Sequence, residues 1–285
     1  MKILIIRAGA MGDTLMLMPS IRALGKSAEI TLAGRRPGID YLRPYVDRCI
    51  DVETSGWHRL FMEVSDNTPP LTPPPDYVTA FLNDPDGRLR DKLERLFPNS
   101  SVNIFPVFPP ERHKGHIALY MAKVMQDAGL PIDGERAFEE SLEFPLLRPD
   151  SCAPVDEGLV VIHPGSGSQR KNYPPSFWLR LITEIKEIQH SNAGRIILLI
   201  GPAEEGVLPV FRGSLKKRDV LIKVLPEKEE LISILSKGAV YIGHDSGVTH
   251  LAAMTGINVI ALFKNSPVEQ WRPLGPNVMI IRNGD

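Results

Sequence analysis

The sequence predicts an α/β protein made of two tandem parallel-sheet domains. Short apolar runs of strand length alternate with helix-period segments along most of the chain. A proline-rich stretch without a period, residues 142–158, divides it in two. The length of 285 residues is long for one compact core and comfortable for two domains of ordinary size. We set the first domain at 1–145 and the second at 158–285.

The first domain opens with an apolar strand over residues 2–6, a turn containing Gly9 and Gly12, and a helix over 14–24. Pro19 lies inside that helix, where it removes a backbone donor and forces a kink or a late start. A strand over 29–32, a helix over 39–45 and a strand over 49–52 follow. Residues 65–75, SDNTPPLTPPP, read as a loop; residues 77–82 read as a strand and 88–97 as a charged helix. A helix over 116–128 ends at Gly129 with Pro131 behind it, a normal stop signal. The second domain is more regular, with strands at 159–162, 195–200, 220–225, 239–242 and 258–263. Helices fall between them at 175–189, 204–212, 228–237 and 248–255. Strands that alternate with helices form parallel sheets through right-handed crossovers, and ligands gather beyond the carboxyl ends of such strands. Two such domains in tandem place a cleft between them.

Composition narrows the function. Lys and Arg number 33 against 34 Asp and Glu, a formal net charge of −1, which argues against a protein built to coat nucleic acid. The two cysteines, Cys49 and Cys152, have no metal-ligand spacing and suggest no disulfide framework, so a reducing compartment is expected. Arg7 and Asp13 interrupt the apolar N-terminus, and no run is long enough to span a bilayer. The expected location is the cytoplasm, with membrane association limited to peripheral contact at the inner face.

Two loops of the second domain carry anion-binding chemistry. His163-Pro164-Gly165-Ser166-Gly167-Ser168 follows a strand directly. Its glycines let backbone N–H groups turn inward, its serines add donors, and Gln169, Arg170 and Lys171 supply reach toward phosphate. The plainer reading of this loop is an ordinary strand-to-helix turn. Gly243-His244-Asp245-Ser246-Gly247-Val248-Thr249-His250 follows another strand and opens a helix. Ser246 suits a helix N-cap. His250 falls in the first helical turn, where a protonated imidazole is disfavoured, and so suits a site holding an anion or a hydrogen-bonding ligand.

In the first domain, Gly9-Ala10-Met11-Gly12-Asp13 joins strand to helix, but a dinucleotide fingerprint fails because Arg7 stands where its first glycine belongs. Asp13 reads locally as a helix N-cap, with a general base facing the cleft as the functional alternative. His113 and His116 have helical spacing for a metal pair but no third ligand nearby, and read as surface histidines. Trp178 reads as core.

Together the motifs resemble glycosyltransferase family 9, the ADP-heptose:lipopolysaccharide heptosyltransferases. The resemblance rests on Met11-Gly12-Asp13, on HPGSGSQRKNYPPSFW over 163–178, on GPAEE over 201–205, and on GHDSGVTHLAAMTGINVIALF over 243–263. It implies a GT-B fold, two Rossmann-like domains facing across a cleft, and inverting transfer with no metal or other cofactor, the ADP-sugar being a substrate. It implies that Asp13 is the general base, reversing the local reading. Ser166 and Lys171 would hold phosphates, Glu204 the ribose, and Asp245, Ser246, Gly247 and His250 the diphosphate and sugar, with Gly12 bordering the donor. The implied partners are a nucleotide-sugar donor and a glycolipid or glycan acceptor, with no nucleic acid. The chain departs from the family at 264–268, where Lys-Asn-Ser-Pro-Val replaces the usual Gly-Pro-Thr-Asp-Pro. Two other functions stand beside this one. The first is a nucleotide-sugar-binding regulatory or assembly protein without transfer activity, suggested by the short middle of the first domain. The second is an NADP-dependent oxidoreductase, suggested by Arg35-Arg36.

Overall fold

The computed structural model describes residues 1–54, 56–57, 60, 72–110, 115–147, 154–188, 195–215 and 220–283. The chain divides into two compact units, Met1–Glu140 and Ser141–Asp285.

The first unit contains β1 (Lys2–Arg7), α1 (Met11–Leu15), α2 (Met18–Leu24), β2 (Glu29–Gly34), α3 (Gly38–Leu42), β3 (Arg48–Asp51), β4 (Tyr77–Phe81), α4 (Arg88–Leu96), β5 (Ser101–Phe105), α5 (Ile117–Asp127) and α6 (Gly134–Glu143), the last running a few residues beyond the division. The sheet order is β3-β2-β1-β4-β5, parallel throughout. β1 is buried from Ile3 to Arg7, as expected for a central strand covered on both faces. Leu4, Ile6, Val78 and Ala80 pack with Leu93 and Phe97 in one core cluster. The chain moves outward in opposite directions from β1 and β4, so the loop after β1 lies at the topological switch point.

The second unit contains β6 (Asp156–His163), α7 (Pro175–Ile188), β7 (Arg195–Ile200), α8 (Leu208–Ser214), β8 (Val220–Val224), α9 (Lys228–Lys237), β9 (Gly238–His244), α10 (Gly247–Thr255), β10 (Asn258–Phe263), α11 (Val268–Trp271) and β11 (Val278–Arg282). Its sheet, also parallel, has the order β11-β10-β9-β6-β7-β8. Trp178 is fully buried and packs with Ile182, Ile196, Leu198, Ile200 and Phe211, so it belongs to the core. No helix among the described residues is long and apolar enough to cross a membrane.

Several elements differ from the sequence reading. The helix expected over 14–24 is broken into α1 and α2, with Pro19 in the first turn of α2, where a missing N–H costs nothing. Residues 202–207 form a 3-10 turn, so the helix expected over 204–212 begins only at Leu208. β5, α6, α11 and β11 were not anticipated. The stretch read as a linker, 142–158, begins inside α6 and ends inside β6. Within it, the N–H groups of Leu146 and Leu147 both donate to the Met254 carbonyl, at 2.9 and 2.8 Å. Residues 148–153, which include Cys152, and most of the proline-rich stretch 65–75 lie outside the described residues.

Candidate functional site

The two loops singled out in the second unit leave neighbouring central strands. β6 and β9 are paired, with His163 opposite Gly243, and the chain diverges in opposite directions from this pair. The loop after β7, which carries Glu204, leaves the strand on the other side of β6. Three chemistry-bearing loops therefore converge at the switch point of the second sheet, where doubly wound sheets bind ligands.

Asp245 is the centre of this cluster. Only 5% exposed, it faces Lys171 Nζ at 2.6 Å and His250 Nε2 at 3.6 Å. Burial alone would raise its pKa, but His250 and Lys171 outweigh that and hold the carboxyl well below the usual carboxylate range. Asp245 is thus a buried anion matched by Lys171. His250 is itself buried, and its Nδ1 lies buried with no hydrogen-bond partner among the described residues. Ser246 does cap α10: its Oγ accepts the Thr249 N–H at 3.3 Å. Gly247 is the first residue of that helix.

Glu204 is 4% exposed and anchored at its own turn, where Oε2 accepts the Gly201 N–H at 2.7 Å. The same oxygen faces His163 Nε2 at 3.3 Å. Burial works against the charged form, but the His163 and Gly201 contacts prevail, and the Glu204 pKa is lowered. The side chain occupies the space beside Gly165, where a Cβ would come within 1.8 Å of Glu204 Oε1, so the loop needs glycine there. Ser166 is buried in its loop, with Oγ 2.7 Å from Asn172 Oδ1 and 3.0 Å from the Ser168 carbonyl.

His163 and His244 were quoted in the motifs but given no role. The His163 ring lies between Glu204 and Ser246, its Nδ1 3.5 Å from Ser246 Oγ. His244 is fully buried, and its Nε2 accepts the Tyr173 N–H at 2.9 Å. It stacks on Tyr173 and meets Trp178 edge-on at 5.0 Å. Burial, reinforced by His163, lowers its pKa to about 4, so it is a neutral acceptor near pH 7. The available signal was position: a polar ring at the inner end of a strand otherwise wholly apolar.

In the first unit, Asp13 follows Gly12 in the first turn of α1, at the switch point of that sheet. It is not the N-cap, which is Ala10. Asp13 sits at the third helical position, and its Oδ2 reaches back to accept the Ala10 N–H at 3.1 Å. A Cβ at Gly9 would lie 2.7 Å from Asp13 Cβ, so the turn holds the carboxylate close. Oδ1 points toward Arg7, 3.8 Å from Nη2. Arg7, noted in the sequence only as a missing glycine, is a 1% exposed guanidinium whose Nη1 donates to the Val107 carbonyl. Burial lowers its pKa and Asp13 opposes that shift. An arginine ending an apolar strand was the sequence signal for this pair.

The remaining candidates have local roles. Arg35 pairs with Glu53 at 3.1 Å and Arg36 with Asp40 at 2.9 Å, both with exposed guanidinium groups. His116 caps α5 through Nδ1, which accepts the Ala118 N–H at 3.1 Å, and is buried rather than on the surface. His113 lies outside the described residues. Cys49 is half-buried in β3.

Two parallel-sheet Rossmann-like domains, each with its polar loops at the carboxyl ends of central strands, define the GT-B class of glycosyltransferase. The chain belongs to glycosyltransferase family 9 (heptosyltransferase), whose model matches residues 109–285. Among solved structures it is similar to E. coli heptosyltransferase WaaC with ADP, at 15% identity and a TM-score of 0.69, covering 99% of this chain and 93% of that one. A glycosyltransferase family 9 protein from Veillonella parvula gives 15% and 0.68, covering 99% and 86%. E. coli ADP-heptose lps heptosyltransferase II gives 16% and 0.66, covering 99% and 90%. At these identities the structures speak for the fold alone. No curated protein matches the chain in sequence. The family and the fold class expected from the motifs are met, and the chain is a glycosyltransferase.

Proposed function

We propose that this glycosyltransferase moves a heptose from an ADP-activated donor to a lipopolysaccharide-core-like or other glycan acceptor, by inverting displacement and without a metal ion. The observation that carries the donor half is the convergence of the loops after β6, β7 and β9 on one buried network, Lys171–Asp245–His250 beside His163–Glu204. In this reading the departing diphosphate is stabilised by cationic side chains and by the N-terminal amides of α10, which carry partial positive charge. Glu204, with one oxygen on the Gly201 N–H, offers a carboxylate to ribose hydroxyls. Ser166, Lys171, Asp245, Ser246, Gly247 and His250 line the diphosphate and sugar. The structure of E. coli heptosyltransferase WaaC contains ADP, which supports an adenine nucleotide here.

Transfer with inversion is a single displacement. The acceptor hydroxyl attacks the anomeric carbon, the bond to the diphosphate breaks, and the hydroxyl proton goes to a base. Asp13 is that base in our reading: one carboxylate oxygen is fixed by the Ala10 N–H, which leaves Oδ1 to take the proton. Gly12 borders the donor. The acceptor is a glycan or glycolipid, and the enzyme works in the cytoplasm with peripheral contact at the inner membrane face.

A melting-temperature screen tests the donor class, because a ligand that binds the native state raises the transition by linkage. ADP should stabilise the protein more than UDP or GDP at equal concentration. Equal shifts for the three, or none, would remove the ADP-sugar assignment. Turnover with an ADP-sugar should survive exhaustive chelation, and its loss would overturn the metal-free mechanism.

A further inference from the structure

Lys264 follows β10 at the position where the sequence departs from its family, and no role in the donor site has been given to it. Its Nζ crosses to the loop after β6, donating to the Asn172 carbonyl at 3.2 Å, and stands 5.5 Å from the centre of the Tyr173 ring. Both of these partners are neutral. Among the described residues no carboxylate forms an ion pair with Lys264. Next to it, Asn265 Nδ2 donates to the Arg170 carbonyl at 2.9 Å, so the two loops are tied at two points. Asn172, the residue Lys264 rests on, also holds the Ser166 hydroxyl through Oδ1.

Lys171 is placed differently. Its charge is already matched by Asp245 at 2.6 Å, and that carboxylate is 5% exposed. Turning Lys171 toward a phosphate would remove a charge partner from a buried anion, which is costly. Turning Lys264 gives up one hydrogen bond to a neutral carbonyl and a cation–π contact, and leaves no buried charge unmatched. A diphosphate brings at least two negative charges, so the cation that is not neutralised in advance is the one it can use most cheaply.

We propose that Lys264 is a phosphate-binding residue of the donor site, swinging from the Asn172 carbonyl to an oxygen of the nucleoside diphosphate while Lys171 remains on Asp245. The proposal rests on the donor-site reading above and adds to it a cation that the family pattern does not supply at this position.

Calorimetric titration with ADP, inorganic pyrophosphate and adenosine tests it on the wild type and on Lys264→Gln, Lys264→Arg and Lys171→Gln. Lys264→Gln should weaken ADP and pyrophosphate about 10- to 100-fold, the worth of one charge-assisted hydrogen bond. Adenosine binding should stay unchanged, the unliganded melting temperature should fall by only a few degrees through the lost tie to Asn172, and Lys264→Arg should restore most of the affinity. Equal losses for ADP and adenosine would reduce Lys264 to a loop tie and overturn the proposal. So would unchanged ADP affinity in Lys264→Gln alongside a loss in Lys171→Gln, with the donor site left standing. ADP binding unaltered in both variants would refute the donor site itself.

Discussion

Gly165→Ala places a methyl group where a carboxylate already sits. The new Cβ would fall 1.8 Å from Glu204 Oε1 and 2.0 Å from its Cδ, far inside van der Waals contact. Those atoms are not the free end of a flexible surface chain. Glu204 is 4% exposed and is held by the Gly201 N–H and by His163, so it must abandon both partners to make room. Breaking a buried, charged hydrogen-bond pair in this way costs about 2–5 kcal/mol. At about 2–4 °C per kcal/mol, the transition of the second domain should drop by about 4–20 °C. Glu204→Ala removes the obstacle and carries its own cost, since it leaves His163 and the Gly201 N–H without their acceptor. The double variant, however, has space for the methyl group. Urea denaturation of the four proteins should therefore give a double-mutant cycle in which the combined loss falls short of the sum by about 2 kcal/mol. Simple additivity within about 0.5 kcal/mol would show that Glu204 does not exclude a side chain at 165, and the account of this loop would be wrong.

Two other perturbations probe separate parts of the molecule. His244 is buried neutral with its pKa lowered from 6.5 to about 4, so the unfolded chain binds the extra proton and stability is lost as pH falls from 6.5 toward 4, by about 3 kcal/mol at most. The lowered carboxylates Asp245 and Glu204 lose their contribution only below their ordinary values of 3.8 and 4.5, so between pH 5 and 6.5 the His244 slope stands apart from theirs. Denaturation midpoints of His244→Gln should be flatter than wild type in that window, and an identical slope would exclude His244 as the titrating group. Asp13→Asn keeps the shape of the side chain and an oxygen for the Ala10 N–H but removes the base; transfer should fall at least about 100-fold with ADP affinity unchanged. Full turnover in that variant would end the assignment of Asp13.

What the sequence disclosed about the site followed from local chemistry. The loops after β6 and β9 were legible because glycine, serine and charge crowd together directly behind apolar strands, a composition with few other uses. Their meeting at neighbouring strands was not written in either loop, since it depends on β9 pairing with β6 across two intervening strands, β7 and β8. Asp13 illustrates the limit of local rules. An Asp at the start of a helix reads as its cap, yet here the helix begins two residues earlier and the carboxylate bonds backward. The missed elements have weak patterns for plain reasons. β5, SVNIF, alternates polar and apolar residues over only five positions, and β11, VMIIR, has two of its apolar residues, Met279 and Ile281, in the open. α6, GERAFEESLE, is so charged that its buried Ala137 and Ser141 make no visible stripe. Burial, not residue type, distinguishes Arg7 and His244 from ordinary charged and polar residues, and burial is a property of the assembled fold.

The paired bonds from Leu146 and Leu147 to the Met254 carbonyl bear on how these enzymes can be recombined. Both leucines are buried, and both attach to the helix whose opposite end carries Ser246 and His250. A graft that exchanged second domains between relatives at residue 158, where the sequence suggests a seam, would leave this clasp behind on the wrong parent. The transplanted helix would then have an unpaired carbonyl and a bare apolar patch at its tail. A splice placed at about residue 144, just past the end of α6, carries the clasp along and leaves that helix whole, so chimeras cut there should remain soluble where those cut at 158 aggregate.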